Sequence, residues 1–598
     1  MKKLLTLMLI FALVFCSVVT VSAEESLPLG AMDGLRFMLE NQAEDDNSAE
    51  VTRPHKAPAR LLGAEGSTDS GSLTVGNLKE GVTVKAYRLV KMEKVNDSDK
   101  FSYTLNADYN AVFTALGVDT VRKYAEKSDA TVIKAAQAKI DATATPDVTG
   151  TVEAGETSIT LSGMPYGMYY IAIESGVASA IYNPMLILIP QANTIGSPTY
   201  DVTVTAKSSE PTLEKKIVKN GGTLVDETSA TVGDYVDYQI KVKLPYYTSE
   251  IDPAKFTFKV VDEMSKGLTY DELTSISVDS TAITGITPNV VPDSYGTTTV
   301  TYDFPYDTLK DYLKYDAENP EHYLYIKYKA VLNENAVIGA PGNPNEALLT
   351  YTNDPSTVTD EGKYPTNDTP KDEAKVYTFG LDITKYELGD MSVKLAGAEF
   401  SLTKEGQAVY FKALGDGEYT AVIAGGAYTI TKDAAASGAG EEGETTTEPG
   451  TTEPEPAESG TETYTATATI NGETVTITGL TKTILTDSNG KLIINGLGEG
   501  TFKLTEEKAP EGYYIIDRTF DITITPELAG VAMTGKVATG GGNEAATAGI
   551  YYVKSIANST EYTLPGTGGM GTLIFMGVSA VALALACVLL YRRRRHQA

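Results

Sequence analysis

The segment Phe256-Thr257-Phe258-Lys259-Val260-Val261-Asp262 alternates as a β-strand does, and the alternation puts a carboxylic acid on the face that carries Phe256, Phe258 and Val260. Two further segments place other polar groups the same way. In Leu213-Glu214-Lys215-Lys216-Ile217 the residue sharing a face with Leu213 and Ile217 is Lys215; in Leu349-Thr350-Tyr351-Thr352-Asn353, Asn353 joins Leu349 and Tyr351. A charge or amide facing an apolar core is costly unless it finds a partner there. One such position reads as a strand end reaching solvent, whereas a lysine, an acid and an asparagine together read as partners. The pattern recurs downstream. Leu381-Asp382-Ile383-Thr384-Lys385 puts Lys385 on the apolar face, and Phe502-Lys503-Leu504-Thr505-Glu506 does so for Glu506, leaving Glu507 outside. Ile556-Ala557-Asn558 aligns Asn558 with Ile556, on a face that Lys554 shares.

Apolar burial lowers the pKa of a lysine and raises that of a carboxylic acid. A neutral amine is a nucleophile, and a protonated carboxyl polarises an amide carbonyl through a hydrogen bond. Held in contact, Lys and Asn can condense with release of ammonia, leaving an isopeptide link between distant strands. The fold itself supplies the effective molarity, so the reaction is a single turnover. Such a link restricts unfolding as a disulfide does.

A link of this kind has a place in this chain. Its two cysteines, Cys16 and Cys587, lie in apolar terminal runs, so the sequence between them has neither a disulfide nor a thiol nucleophile. Of 49 basic side chains six sit in the terminal segments, leaving 43 against 79 acidic ones, a net charge of −36. That surface repels nucleic acid and anionic lipid. Outside the tail only His55 and His322 are present, too little for histidine-based catalysis or a zinc site. No cofactor or metal is expected, and an enzyme is disfavoured. Asp487-Ser488-Asn489-Gly490 reads as a turn.

Trp is absent and Tyr abundant, and many short Val/Thr/Ile/Tyr runs are punctuated by Gly, Asn and Asp. The chain therefore reads as mainly β with about three domains. The first opens with Val82–Tyr87, has a helical middle over Asn110–Ile140, and returns to strands at Ile159–Leu161, Met168–Ile173 and Met185–Pro190. Lys85 points away from the face of Val82, Val84 and Ala86 and reads as solvated. The stretch before this domain reads as largely disordered, with a short helix possible at Leu35–Leu39. An Ala/Gly/Glu/Thr/Pro-rich insert begins at residue 433 and also reads as disordered.

At the start, Lys2 and Lys3, the apolar run Leu4–Phe15 and Val21-Ser22-Ala23 read as a secretory signal cleaved after Ala23. At the end, Leu564-Pro565-Gly566-Thr567-Gly568 precedes a Gly-rich spacer, an apolar run Thr572–Tyr591 long enough to span a bilayer, and Arg592–Arg595. This arrangement resembles the cell-wall sorting signal of Gram-positive surface proteins, which a sortase cuts between Thr and Gly. The resemblance implies that Thr567 is transferred to an amine and that the chain ends on peptidoglycan.

The internal segments resemble sortase-assembled pilins. Pro211–Lys215, Val261-Asp262-Glu263-Met264-Ser265-Lys266-Gly267-Leu268-Thr269 and Leu349–Pro355 are similar to the fimbrial isopeptide-forming domain with a collagen-adhesin A-type fold. This resemblance implies a Lys215–Asn353 bond with Asp262 as the acid. Lys385, Leu395-Ala396-Gly397-Ala398-Glu399-Phe400 and the E-box Phe502–Tyr513 are similar to the B-type domain, implying a Lys385–Asn558 bond with Glu506 as the acid. The fold so implied is a set of tandem immunoglobulin-like β-sandwiches, CnaA-like and CnaB-like, with a C-terminal transmembrane helix. The expected organisation is a signal peptide at 1–23, a disordered segment at 24–70, a first pilin domain at 71–206, the CnaA-like domain at 207–375, and the CnaB-like domain at 376–563 with its insert at 433–463. Sorting signal, helix and basic tail follow at 564–598.

Shaft pilins offer a lysine in a Val-x-Val-Tyr-Pro-Lys-Asn setting. Val202-Thr203-Val204-Thr205-Ala206-Lys207 keeps both valines and the lysine but replaces Tyr, Pro and the final Asn. Lys207 is the favoured intersubunit lysine and Lys219, followed by Asn220, its rival. The expected function is a major pilin, joined from Thr567 to Lys207 of the next identical subunit by a sortase, with minor pilins, peptidoglycan and host surface ligands as further partners. The alternative is a wall-anchored minor pilin or adhesin, for which Lys207 is dispensable.

Overall fold

The computed structural model describes residues 30–44, 70–95, 101–140, 144–176, 179–192, 198–248, 251–314, 321–339, 342–355, 358–434, 462–524, 536–539, 542–545 and 551–561. The signal segment, His55, most of the 433–463 insert, the pentapeptide Leu564–Gly568, and the apolar run and arginines that follow lie outside these residues. Among the described residues no helix is long and apolar enough to cross a membrane. The chain is mainly β and forms successive β-sandwich units.

In the first unit a five-stranded sheet runs Phe101–Leu105, Thr83–Lys94, Gly167–Glu174, Met185–Ile189, with Val148–Thr151 also paired to Thr83–Lys94. A three-stranded sheet of Ser158–Pro165, Ser70–Gly76 and Asp201–Thr205 faces it. The expected helical middle is three helices, Asn110–Leu116, Val121–Ala125 and Asp129–Lys139, the last two begun by side-chain caps from Thr120 and Ser128.

Residues 24–70 were expected to be disordered, and part of that stretch is a 14-residue helix, Ala31–Glu44. Met32 and Leu35 are buried in the first core, and Met38 and Leu39 pack against it, following helical spacing. Asp129 accepts from the Met32 amide at 3.1 Å, and the Arg36 guanidinium donates to the Ala125 carbonyl at 2.9 Å. Lys85, expected to be solvated, is half-buried and paired with Glu174, because that face of the strand carries an acid two positions along its neighbour.

The second unit is a sandwich of two large sheets. One contains Thr212–Lys219, Tyr235–Lys243, Tyr323–Leu332 and Leu268–Val278 as central neighbours; the other contains Asp372–Tyr377, Asn343–Thr352, Phe258–Met264 and Thr298–Asp303. Its boundary with the first unit is interlocked, since Ser208–Ser209 pairs with Ile181–Tyr182.

The third unit is a continuous 13-stranded sheet that includes Phe379–Glu387 between Lys491–Leu497 and Tyr551–Ser559. The last of these runs parallel to Phe379–Glu387, with Lys385 opposite Ile556 and Glu387 opposite Asn558.

A three-stranded sheet of Thr429–Lys432, Tyr464–Ile470 and Glu473–Leu480 leaves the third unit and leans on the second. Its tip, Asn471-Gly472, has both residues at positive φ, and the Asn471 amide donates to Asp271 at 3.2 Å. Val232 and Val331 of the second unit share one apolar cluster with Val422, Tyr428, Ile470 and Leu480 of the third. Nearby the backbones touch. The Ala427 amide donates to the Gly233 carbonyl at 2.8 Å, and a Cβ on Gly426 would lie 2.1 Å from that same oxygen. Gly426→Ala is therefore expected to push the two units apart. Hydrogen exchange would show the Ala427 and Ile423 amides losing protection while the cores of both sandwiches keep theirs.

Candidate functional site

Three of the polar residues on apolar faces in the second unit meet in its core. Lys215 is carried on Thr212–Lys219 and Asp262 on Phe258–Met264, strands of opposite sheets, and both are fully buried. Lys215 Nζ lies 2.6 Å from Asp262 Oδ2 and 2.6 Å from the Tyr328 hydroxyl, with the Tyr238 and Tyr328 rings 5.1 and 5.3 Å from the nitrogen. Desolvation pushes the Lys215 ammonium down from its ordinary value, and Asp262, though opposing it, only partly offsets this. Desolvation likewise pushes the Asp262 carboxyl up. Burial thus favours transfer of the proton from the amine to the acid.

The third member is not Asn353. Asp262 is opposite Ala347 in the antiparallel pair and Phe258 is opposite Tyr351, so Asn353 stands six residues along from the acid's level, about 20 Å away. It is buried against the first unit instead, its carbonyl accepting from the Ser175 hydroxyl at 3.4 Å. The asparagine beside the cluster is Asn345, two residues before Ala347 and fully buried. Its Nδ2 donates to the Tyr328 oxygen at 2.9 Å, the atom that Lys215 also touches. Asn343, Asn345 and Asn353 share one strand face, so alternation cannot choose among them. Asn343 is occupied with the Val337 and Val376 backbones.

In the third unit the expected trio comes together as read. Lys385 Nζ lies 2.8 Å from Glu506 Oε2 and in hydrogen-bond contact with Asn558 Oδ1, and Asn558 Nδ2 donates to Glu506 Oε1 at 2.8 Å. All three are fully buried, and desolvation lowers the Lys385 pKa. Parallel pairing of the two strands makes this possible, because it brings residues from opposite ends of the domain side by side. Lys554, on the same strand as Asn558, lies over the Phe520 ring and not in the cluster. The turn Asp487–Gly490 sits against the lysine's backbone: Lys385 N donates to Gly490 O at 2.7 Å, and a Cβ at Gly490, where φ is 65°, would lie 2.5 Å from Lys385 O.

The other sequence-derived residues are dispersed. Lys207 is exposed at the junction of the first two units, where its carbonyl accepts from the Asn183 amide at 3.1 Å. It lines a groove of about 750 Å³ with Asp129, Lys134, Met185 and Thr248. Lys219 lies at the other junction, 3.3 Å from Glu499 of the third unit. His322 is bound to Asp279 at 2.8 Å and set against Tyr312, away from both lysine clusters. Sequence reading missed Asn345, which shares its strand face with Asn353, and Tyr328, whose signal was its place on the core face of a Tyr-rich strand.

Known proteins match one stretch that includes Asp262, Tyr328 and Asn345 and another that includes Glu506, while the three clustered residues Lys215, Lys385 and Asn558 lie outside both. Residues 232–355 match the family model of the Gram-positive pilin backbone subunit 2, Cna-B-like domain, and residues 458–536 that of the SpaA prealbumin-like fold domain. The two matched stretches together take in about a third of the chain. The first match is described as Cna-B-like, whereas the motifs of that unit resemble the A type. The chain is 26% identical over 362 residues to the trypsin-resistant surface T6 protein of Streptococcus pyogenes serotype M6, a match covering 53% of this chain and 60% of that protein's length. Among solved structures, it is similar to the T6 backbone pilin of serotype M6 Streptococcus pyogenes at 18% identity and a TM-score of 0.49, over 83% of this chain and 100% of that one. It is also similar to the full-length major pilin SpaD of Corynebacterium diphtheriae, at 18% identity and 0.45, over 82% and 98%.

The geometry separates the two asparagines of the second unit by experiment. In a protease digest of the full-length chain, a peptide joining Lys215 to Asn345 is expected. Asn345→Ala should abolish it and Asn353→Ala should leave it intact, as read by the mass of the linked peptide.

Proposed function

We propose that this chain is a structural subunit of a covalent cell-surface pilus, stabilised by two intramolecular isopeptide bonds, Lys215–Asn345 and Lys385–Asn558. The observation that carries this reading is the pair of buried lysine–acid–asparagine clusters lying in units that match pilin backbone domains. Each buries an amine, a carboxyl and a carboxamide together away from solvent. The matches to pilin backbone domains support a shaft subunit over an enzyme.

Bond formation consumes the groups it uses, so Asp262 and Glu506 each serve one turnover and act on their own chain. A finished bond also removes the buried amine: a secondary amide takes its place, and ammonia leaves. Deleting one partner of a buried lysine–acid contact typically costs about 3–5 kcal/mol, so these positions are costly to vary even before mechanical load is considered.

Polymerisation, in this reading, joins Thr567 of Leu564-Pro565-Gly566-Thr567-Gly568 to Lys207 of an identical subunit through a sortase, with minor pilins and peptidoglycan as later partners. Lys207 is supported by its exposure and by the groove of about 750 Å³ that it lines. Lys219, 3.3 Å from Glu499 across the second junction, is the rival. Co-expression with a pilin sortase in a Gram-positive host is expected to give a ladder of SDS-resistant polymers. Lys207→Ala should collapse the ladder to monomer and Lys219→Ala should leave it unchanged. A ladder unaltered by Lys207→Ala would remove that assignment, and no ladder from the unaltered chain would remove the shaft reading itself.

A further inference from the structure

The two clusters do the same work with acids of different length. In the third unit Glu506 spans the site alone, one oxygen on Lys385 and the other on Asn558, each at 2.8 Å. Asp262 is one methylene shorter. Its Oδ2 takes both Lys215, at 2.6 Å, and the Tyr328 hydroxyl, at 2.5 Å, while its Oδ1 has no hydrogen-bond partner among the described residues. Among the described residues Asn345 joins the cluster through the tyrosine, whose oxygen accepts from Nδ2 at 2.9 Å. The ring of Tyr328 is held in place by Tyr238, stacked at 5.3 Å between centroids, and by Tyr270 at 5.8 Å.

We propose that Tyr328 is a catalytic residue of cross-link formation in the second unit, relaying a proton from Asp262 to the departing nitrogen of Asn345. The inference rests on the isopeptide reading above. The step begins from neutral Lys215 and protonated Asp262, the state that burial favours. Lys215 Nζ attacks Asn345 Cγ and the new C–N bond forms. The Asp262 proton passes to the Tyr328 oxygen as the tyrosine's own proton passes to Asn345 Nδ2, whose bond to Cγ breaks. One Nζ proton returns to the Asp262 carboxylate. The products are one secondary amide and one ammonia, with Asp262 and Tyr328 in their starting forms. Glu506 makes such a relay unnecessary in the third unit, because it contacts the asparagine nitrogen directly.

The test follows appearance of both linked peptides in the full-length chain after pulsed synthesis, by quantitative mass spectrometry of digests. The Lys385–Asn558 link serves as a clock inside each molecule. Relative to that clock, Tyr328→Phe is expected to slow the Lys215–Asn345 link by about a hundredfold or more, the usual worth of a positioned acid or base. Tyr302→Phe, which removes another buried hydroxyl from the same core, should leave the rate unchanged. Adding Asp262→Glu to Tyr328→Phe should restore the link, since the longer acid can reach Asn345 as Glu506 reaches Asn558. That rescue also guards against a variant that is slow only because it folds poorly. A Tyr328→Phe chain that links at the unaltered rate, or a double variant no faster than the single, would overturn the proposal. If the unaltered chain forms the Lys385–Asn558 link and no Lys215–Asn345 link, the cross-link reading of the second unit fails along with it.

Discussion

A lysine amine with no access to water is the constraint around which two of the three units are built. Neither Lys215 nor Lys385 has solvent to hold its proton, and each touches one carboxyl; a carboxamide contacts Lys385 directly and meets Lys215 through the shared Tyr328 oxygen. Such a site is unfavourable as an ordinary ion pair, because desolvating two charges costs more than their attraction generally returns. The cost becomes intelligible if the site is a reactant. Burial lowers the pKa of both amines and, in the second unit, raises that of the acid, and an amine beside a carboxyl and an amide carbonyl holds the components of an amide exchange.

The two units position these groups by different architecture. In the third, parallel pairing of Phe379–Glu387 with Tyr551–Ser559 places lysine and asparagine on adjacent strands, and a glutamate from a third strand closes the triangle. In the second, the lysine and its acid come from opposite sheets, so the contact spans the sandwich, and a tyrosine fills the remaining gap. A bond in the third unit would clamp chain ends, and one in the second would pin sheet to sheet. Between the units, the hairpin at Tyr464–Leu480 and the close approach of Gly426 to Gly233 tie the sandwiches into a continuous body. A shaft under tension needs both kinds of restraint, since a load passes through the junctions as well as through the domains.

The first unit departs from this plan. Lys85 stands on a strand like the lysines of the other units, yet it faces outward and pairs with Glu174 at a half-exposed position. Its core is instead extended by helices, including Ala31–Glu44, of which sequence reading had offered only a short helix at Leu35–Leu39 in a largely disordered stretch. Surrounding acidic and polar residues made that segment look too hydrophilic to fold. Its apolar residues are few, but they recur with helical spacing and pack on a core already formed by the strands.

Strand alternation was enough to bury Lys215, Asp262, Lys385 and Glu506, because side chains two residues apart share a face whatever the strand pairs with. The absence of cysteine between the terminal runs and the excess of acidic side chains were equally legible, being properties of order and composition. Alternation carries no information along the strand, however. Asn345 and Asn353 are equivalent by parity and differ only in the register of Asn343–Thr352 against Phe258–Met264, which tertiary pairing sets. Tyr328 was likewise invisible among many core tyrosines, since its role depends on one oxygen lying between three groups from three other strands. The sequence by itself determined which side chains must face the core; only the tertiary structure decided which of them meet, because contact depends on register and sheet packing between segments far apart in the chain.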